Sequence, residues 1–89
     1  MNRATEIQNK LCQYIANNYE VLGTLSVDAE LVRSEIIDSF GIVEIILYIE
    51  KEFDLAFPDE LITPDVFSTV SNMTVHIINI QDESKNNDE

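Results

Sequence analysis

The sequence predicts an all-α bundle of three main helices and one short helix, with a long loop after the first. Three observations lead there. Apolar residues recur at helical spacings in three separate stretches, and the chain has only two Gly and two Pro to interrupt them. Its 89 residues leave room for one small domain around a single core. A hydrophobic share of 45% is ordinary for a globular chain and sufficient for such a core.

The first helix is expected from about Ala4 to Tyr19, where Ala4, Ile7, Leu11, Tyr14 and Ile15 fall on one face and Thr5 is available as a cap. From Glu20 to Ile37 the periodicity loosens around Gly23, with scattered Leu22, Leu25, Val27 and Leu31. A connection of that length in so small a domain is usually functional or carries a short helix of its own.

The second helix begins at Ser39 and ends at Phe53. Its Ile and Val content suits a strand, but its length, its freedom from proline and its spacing favour a helix. Ile42, Ile45, Ile46, Ile49 and Phe53 form one face, which should be core. A second row, Phe40, Val43, Glu44, Leu47 and Lys51, lies on another. Either this helix is buried on several sides, or the second row is an exposed stripe kept for docking another protein. Periodicity alone does not choose.

Pro58 then marks a turn, and Thr63 followed by Pro64 has the order of an N-cap and a first-turn proline, predicting a one-turn helix through Val66 and Phe67. Ser68 or Thr69 can cap the last helix, whose core stripe is Val70, Met73, Ile77 and Ile80. The tail QDESKNNDE has nothing to bury and is expected to be disordered.

With 17 acidic residues against five basic, the net charge is −12. Such a surface repels phosphate backbones and anionic lipid headgroups while attracting basic protein patches, so the expected partners are proteins and neither nucleic acid nor a membrane. Acidity of this kind also serves simply to keep a small domain soluble. Cys12 is the single cysteine, which excludes an intramolecular disulfide, and residues 1–10 contain no apolar targeting segment. Cytoplasmic residence is the expectation.

Residues with catalytic chemistry are few. His76 lies beside Val75 and Ile77 with no nucleophile paired to it, and Cys12 has no adjacent basic group to lower its pKa. The acids follow neither a calcium-loop nor a His-Glu metal spacing. Ser39 remains, between Asp38 and Phe40 at the start of the second helix. Either it is a cap, or its hydroxyl is a reactive group placed where free backbone N–H groups and the helix dipole favour a phosphate.

The stretch DSFGIVEIILYIEKEF, followed by PDE and STV, resembles the acyl carrier protein or phosphopantetheine-binding family. It has that family's Asp-Ser-Phe attachment motif, an acidic helix ending in Glu-Phe and a downstream Pro-Asp-Glu. The resemblance covers essentially the whole chain. It implies an acyl-carrier-protein-like four-helix bundle over residues 1–82, with 83–89 as an acidic tail. Ser39 would receive 4'-phosphopantetheine from coenzyme A through a separate phosphopantetheinyl transferase, Asp38 would assist magnesium and transferase engagement, and the prosthetic thiol would carry an acyl or aminoacyl group as a thioester. Phe40, Val43, Glu44, Leu47 and Glu50 would face partner enzymes: the transferase, a loading ligase or acyltransferase, and downstream biosynthetic enzymes with basic patches. The carrier itself would be a non-catalytic monomer. Gly41 and Lys51 depart from the fatty-acid carriers, which have an acid at the first place and a run of glutamates at the second; the glycine looks more like D-alanyl or other aminoacyl carriers and ITPDVF like specialised ones, which implies a dedicated pathway. The competing expectation is an acidic helical interaction module without a prosthetic group, its Ser39 only a cap. A small catalyst using His76 or Cys12 is a third.

Overall fold

A computed structural model describes residues 2–21 and 23–86, with the side chains of 85 and 86 left out of the description. Three helices, α1 (Arg3–Asn18), α2 (Ser39–Phe53) and α3 (Val70–Asn86), surround one core, and a short 3-10 helix (Asp59–Leu61) lies between α2 and α3. The described residues contain no strand. The all-α bundle expected from periodicity is the observed architecture.

Each helix buries the stripe its spacing marks. Ile7, Leu11 and Ile15 from α1 meet Ile42, Ile45, Ile46 and Ile49 from α2 and Val70, Met73, Ile77 and Ile80 from α3. Each of these side chains, removed from water, contributes about 1.5–3 kcal/mol before chain entropy is counted. Tyr14 and Phe53, placed on the same faces by sequence, are half-buried against the edge of the core, and Ala4 is half-buried.

The caps redistribute some expectations. Helix α1 starts at Arg3, so Thr5 does not cap it: Asn2 is the N-cap, and its side chain accepts from the Thr5 N–H at 2.8 Å. Asparagine is among the strongest N-caps, and starting there adds a residue to the helix. At α3 the expectation of a Thr69 cap holds, with Asn72 N–H donating to Thr69 Oγ1 at 3.0 Å.

The short helix lies elsewhere than expected. Thr63 does accept from Val66 N–H at 3.3 Å, but the Phe67 N–H bond to the Thr63 carbonyl is long at 3.4 Å and the segment closes only as a turn. Burial of Val66 and Phe67 fixes its shape instead. The regular element follows Pro58, where Asp59 and Glu60 sit in the first turn, favoured by its free N–H groups.

The tail also departs from expectation. Helix α3 continues through Asn86, past the start of the stretch expected to be disordered and past the boundary at residue 82. Residues 81–86 contain no Gly or Pro, and Arg3 anchors them from α1 by an ion pair to Asp82 at 2.8 Å. Residues 87–89 lie outside the described residues.

The long loop is pinned without a regular helix of its own among the described residues. Leu31 N–H donates to Ser68 O at 2.8 Å, Ser71 N–H donates to Val27 O at 2.9 Å, and Leu31 and Ile37 are buried. Its turn over residues 31–35 closes with Ile36 N–H on Leu31 O at 2.9 Å, which places Glu35 in the left-handed region at φ 63°. The chain is thereby delivered to Asp38 in a fixed direction.

Candidate modification site

The start of α2 is set by a division of labour between neighbouring residues. Asp38 is the N-cap: its Oδ1 accepts from the Gly41 N–H at 2.8 Å, and its carbonyl accepts from Ile42 N–H at 3.0 Å. Ile37 and Ile42 occupy the two positions of a hydrophobic staple and both are buried, which fixes the entry angle of the chain. Ser39 is the first helical residue, exposed, with its hydroxyl outside the capping arrangement. The choice left open by sequence, cap or reactive group, is resolved on its first half: the cap is Asp38.

Two conditions for a bulky anionic substituent on Ser39 are met by the residues present. Asp38, Ser39 and Phe40 are all exposed, so the hydroxyl has room around it. The N–H groups of Ser39 and Phe40 belong to the first turn, where no intrahelical acceptor exists, and they stand at the positive end of the helix dipole. A phosphodiester fits there.

Helix α2 has one buried and one exposed apolar row. Phe40, Val43 and Leu47 are 70%, 50% and 61% exposed, whereas the Ile row faces the core. This decides against a helix buried on several sides. Lys51 ends the exposed row and is itself exposed. Glu44 and Glu50 are half-buried and engaged within the molecule: Glu44 Oε1 accepts from the Tyr19 hydroxyl at 2.6 Å, and Glu50 Oε2 accepts from Phe57 N–H at 3.0 Å.

Tyr19 escaped the sequence reading, although it continues the Ile7, Leu11, Ile15 row by one more step of four. Its ring packs closely against the position a Gly41 side chain would take. A Cβ at position 41 would lie 3.1 Å from Ile37 Cβ, 3.3 Å from the Tyr19 hydroxyl oxygen and 3.4 Å from Tyr19 Cε1. The glycine thus has a local packing reason.

The other titratable candidates lie apart from this site. Cys12 is half-buried against the core, and burial pushes its thiol up, away from nucleophilic reactivity. His76 is half-buried on α3. Among the described residues, no group of three His, Cys, Asp or Glu side chains is placed to hold a metal ion, and no helix is long and apolar enough to cross a membrane.

Fold and site define a helical bundle that presents a serine beside an exposed apolar face. No family model matches the chain. It is 34% identical over 83 residues to aminoacyl carrier protein 2 of Bradyrhizobium diazoefficiens, covering 88% of this chain and 90% of the relative. It is 36% identical over 61 residues to an acyl carrier protein of Rickettsia bellii, covering 67% and 71%. A D-alanyl carrier protein of Bacillus subtilis is 39% identical over 46 residues, covering 52% and 59%. The chain belongs to the acyl carrier protein family, and that membership implies a phosphopantetheine prosthetic group.

Proposed function

We propose that this protein is a carrier, without catalysis of its own, that holds an acyl or aminoacyl group as a thioester on 4'-phosphopantetheine attached to Ser39. The observation that carries this reading is the freedom of the Ser39 hydroxyl: exposed at the head of α2, with the cap supplied by its neighbour and an apolar face beginning at the next residue. In the attachment step the Ser39 oxygen attacks the phosphorus next to the pantetheine of coenzyme A. A new P–O bond forms, the bond to the adenosine 3',5'-bisphosphate leaving group breaks, and the serine proton passes to a base of the transferase. When bound, the group supplies the terminal thiol on which cargo travels.

Asp38 spends one oxygen on the cap, and its second oxygen is the one we assign to magnesium and transferase engagement. Phe40, Val43 and Leu47 supply the apolar contacts with the transferase, a loading ligase or acyltransferase, and downstream enzymes. Glu44, Glu50 and the overall negative charge guide basic patches toward them. A carrier must leave each enzyme after its turn, and a small charge-steered interface suits such transient binding. In this reading the carrier unit takes in the whole of α3, through Asn86.

Gly41, Lys51 and the aminoacyl and D-alanyl relatives favour an aminoacyl cargo in a dedicated pathway. The deciding experiment is intact mass of the purified chain before and after incubation with coenzyme A, magnesium and a broad-specificity phosphopantetheinyl transferase. A gain of one phosphopantetheine, absent in Ser39→Ala, is the expected result. A folded wild-type chain that gains nothing with several transferases overturns the proposal.

A further inference from the structure

The Glu44 carboxylate is not left to find its own orientation. The Tyr19 hydroxyl donates to it at 2.6 Å, in the short range of charge-assisted O–H···O bonds. The Gly41 carbonyl lies 3.5 Å from the same hydroxyl, too far to compete for the proton. Burial first, and then the bond to Glu44, pushes the Tyr19 phenol well above its ordinary range, so it remains a donor throughout neutral pH. The ring is held in turn by its close approach to Gly41, whose missing side chain makes the space. Along α2, Glu44 stands one helical turn from both Phe40 and Leu47, inside the exposed row. A glutamate on a helix surface otherwise samples several rotamers, and ordering it costs affinity when a partner binds.

We infer that Tyr19 is a positioning residue for partner docking: it holds the Glu44 carboxylate in one orientation beside Phe40 and Leu47, ready for a guanidinium or ammonium group of the partner enzyme. This rests on the reading of α2 as the docking helix and adds to it a contribution from Tyr19, the residue that closes α1. The ordering of Glu44 is done during folding, so the partner does not have to do it on binding. A carboxylate has lone pairs to spare after one hydrogen bond, so the Tyr19 contact and a partner cation are accommodated together.

The test uses the full chain in its unmodified form, with a broad-specificity phosphopantetheinyl transferase, coenzyme A and magnesium as the probe system. Initial rates give KM and kcat for wild type, Tyr19→Phe, Glu44→Gln and the double variant, each with its Tm. Tyr19→Phe keeps the ring against Gly41 and removes only the hydroxyl. It should raise KM for the carrier about two- to tenfold, the equivalent of ordering one long side chain on binding, with kcat unchanged. Its salt dependence should match wild type because the Glu44 charge remains, whereas Glu44→Gln should flatten it. The double variant should behave like Glu44→Gln alone, because the hydroxyl acts through the carboxylate. A wild-type KM in Tyr19→Phe, a change confined to kcat, or additive effects in the double variant would overturn the inference. A wild-type chain that is never modified overturns the carrier reading itself, and this inference with it.

Discussion

Replacing Asp38 with alanine removes the one side-chain acceptor at the head of α2, a 2.8 Å bond to the Gly41 N–H. Gly41 is buried between Ile37 and the Tyr19 ring, so water is poorly placed to replace the lost partner. Loss of an N-cap costs about 0.5–2 kcal/mol, and a buried donor left without an acceptor moves the value toward the top of that range. For a domain this small, about 1–2 kcal/mol lowers Tm by something on the order of 5–15 °C. Ser39→Ala carries no such loss, and since alanine is the better helix former, its stability should stay within about 0.5 kcal/mol of wild type. Asp38→Asn keeps the capping oxygen and should recover most of the stability while losing the charge. Thermal and urea unfolding followed by far-UV circular dichroism would give all three values. Equal destabilisation by Ser39→Ala and Asp38→Ala would refute the assignment of the cap, and with it the claim that the serine is free.

Two further outcomes follow from the exposed row and from the tyrosines. Leu47→Glu should leave stability within about 0.5 kcal/mol, since the side chain lies on the surface, yet slow modification by the transferase; equal damage to both would mean that the residue helps hold the core. Alkaline titration should show a progressive loss of stability. Tyr14, Tyr19 and Tyr48 all have phenols held above their ordinary value, burial being the first cause in each, so the unfolded chain loses its phenolic protons first. Stability should be fully present below about pH 10, the unfolded value, and fall as pH rises beyond it, with a shallower fall in Tyr19→Phe. Chemical denaturation at stepped pH measures the slope, and identical slopes in the two proteins would contradict the raised value of Tyr19.

The fold was legible wherever periodicity carried it. The Ile row of α2 and the Val70, Met73, Ile77, Ile80 row of α3 are buried as their spacing demands, because one face of a helix in a small bundle has only the core to meet. Elements whose shape depends on a few local hydrogen bonds were less legible. Thr63 does cap a turn, but that turn does not become a regular helix, and Val66 and Phe67 are buried in the core instead, a tertiary fact. At the site, the Asp38-Ser39 pair and the exposed row were visible as residues, and only coordinates could say which of the two caps and which row faces water. Tyr19 was invisible for a related reason: its bond to Glu44 joins positions 25 residues apart, and no local pattern reports such a contact.

The same bonds bear on where the negative charge does its work. Of the three acids on α2, Glu44 is tied to Tyr19, Glu50 to the Phe57 N–H and Glu52 to Lys10, so none is a loose charge free to swing toward any basic surface. Long-range attraction in the proposed docking is a property of the whole molecule at net −12, these fixed carboxylates included, and is screened over about 8 Å at physiological ionic strength. In the proposed docking, discrimination at contact would come from a different set: three exposed apolar side chains, one carboxylate held in place, and Lys51 closing the row with the opposite sign. An enzyme surface uniformly basic along its length would be drawn to the protein and then meet an ammonium at the far end of the row. The proposed docking thus assigns attraction and selection to different groups: the overall charge would bring partners near, and the row on α2 would decide which of them engage.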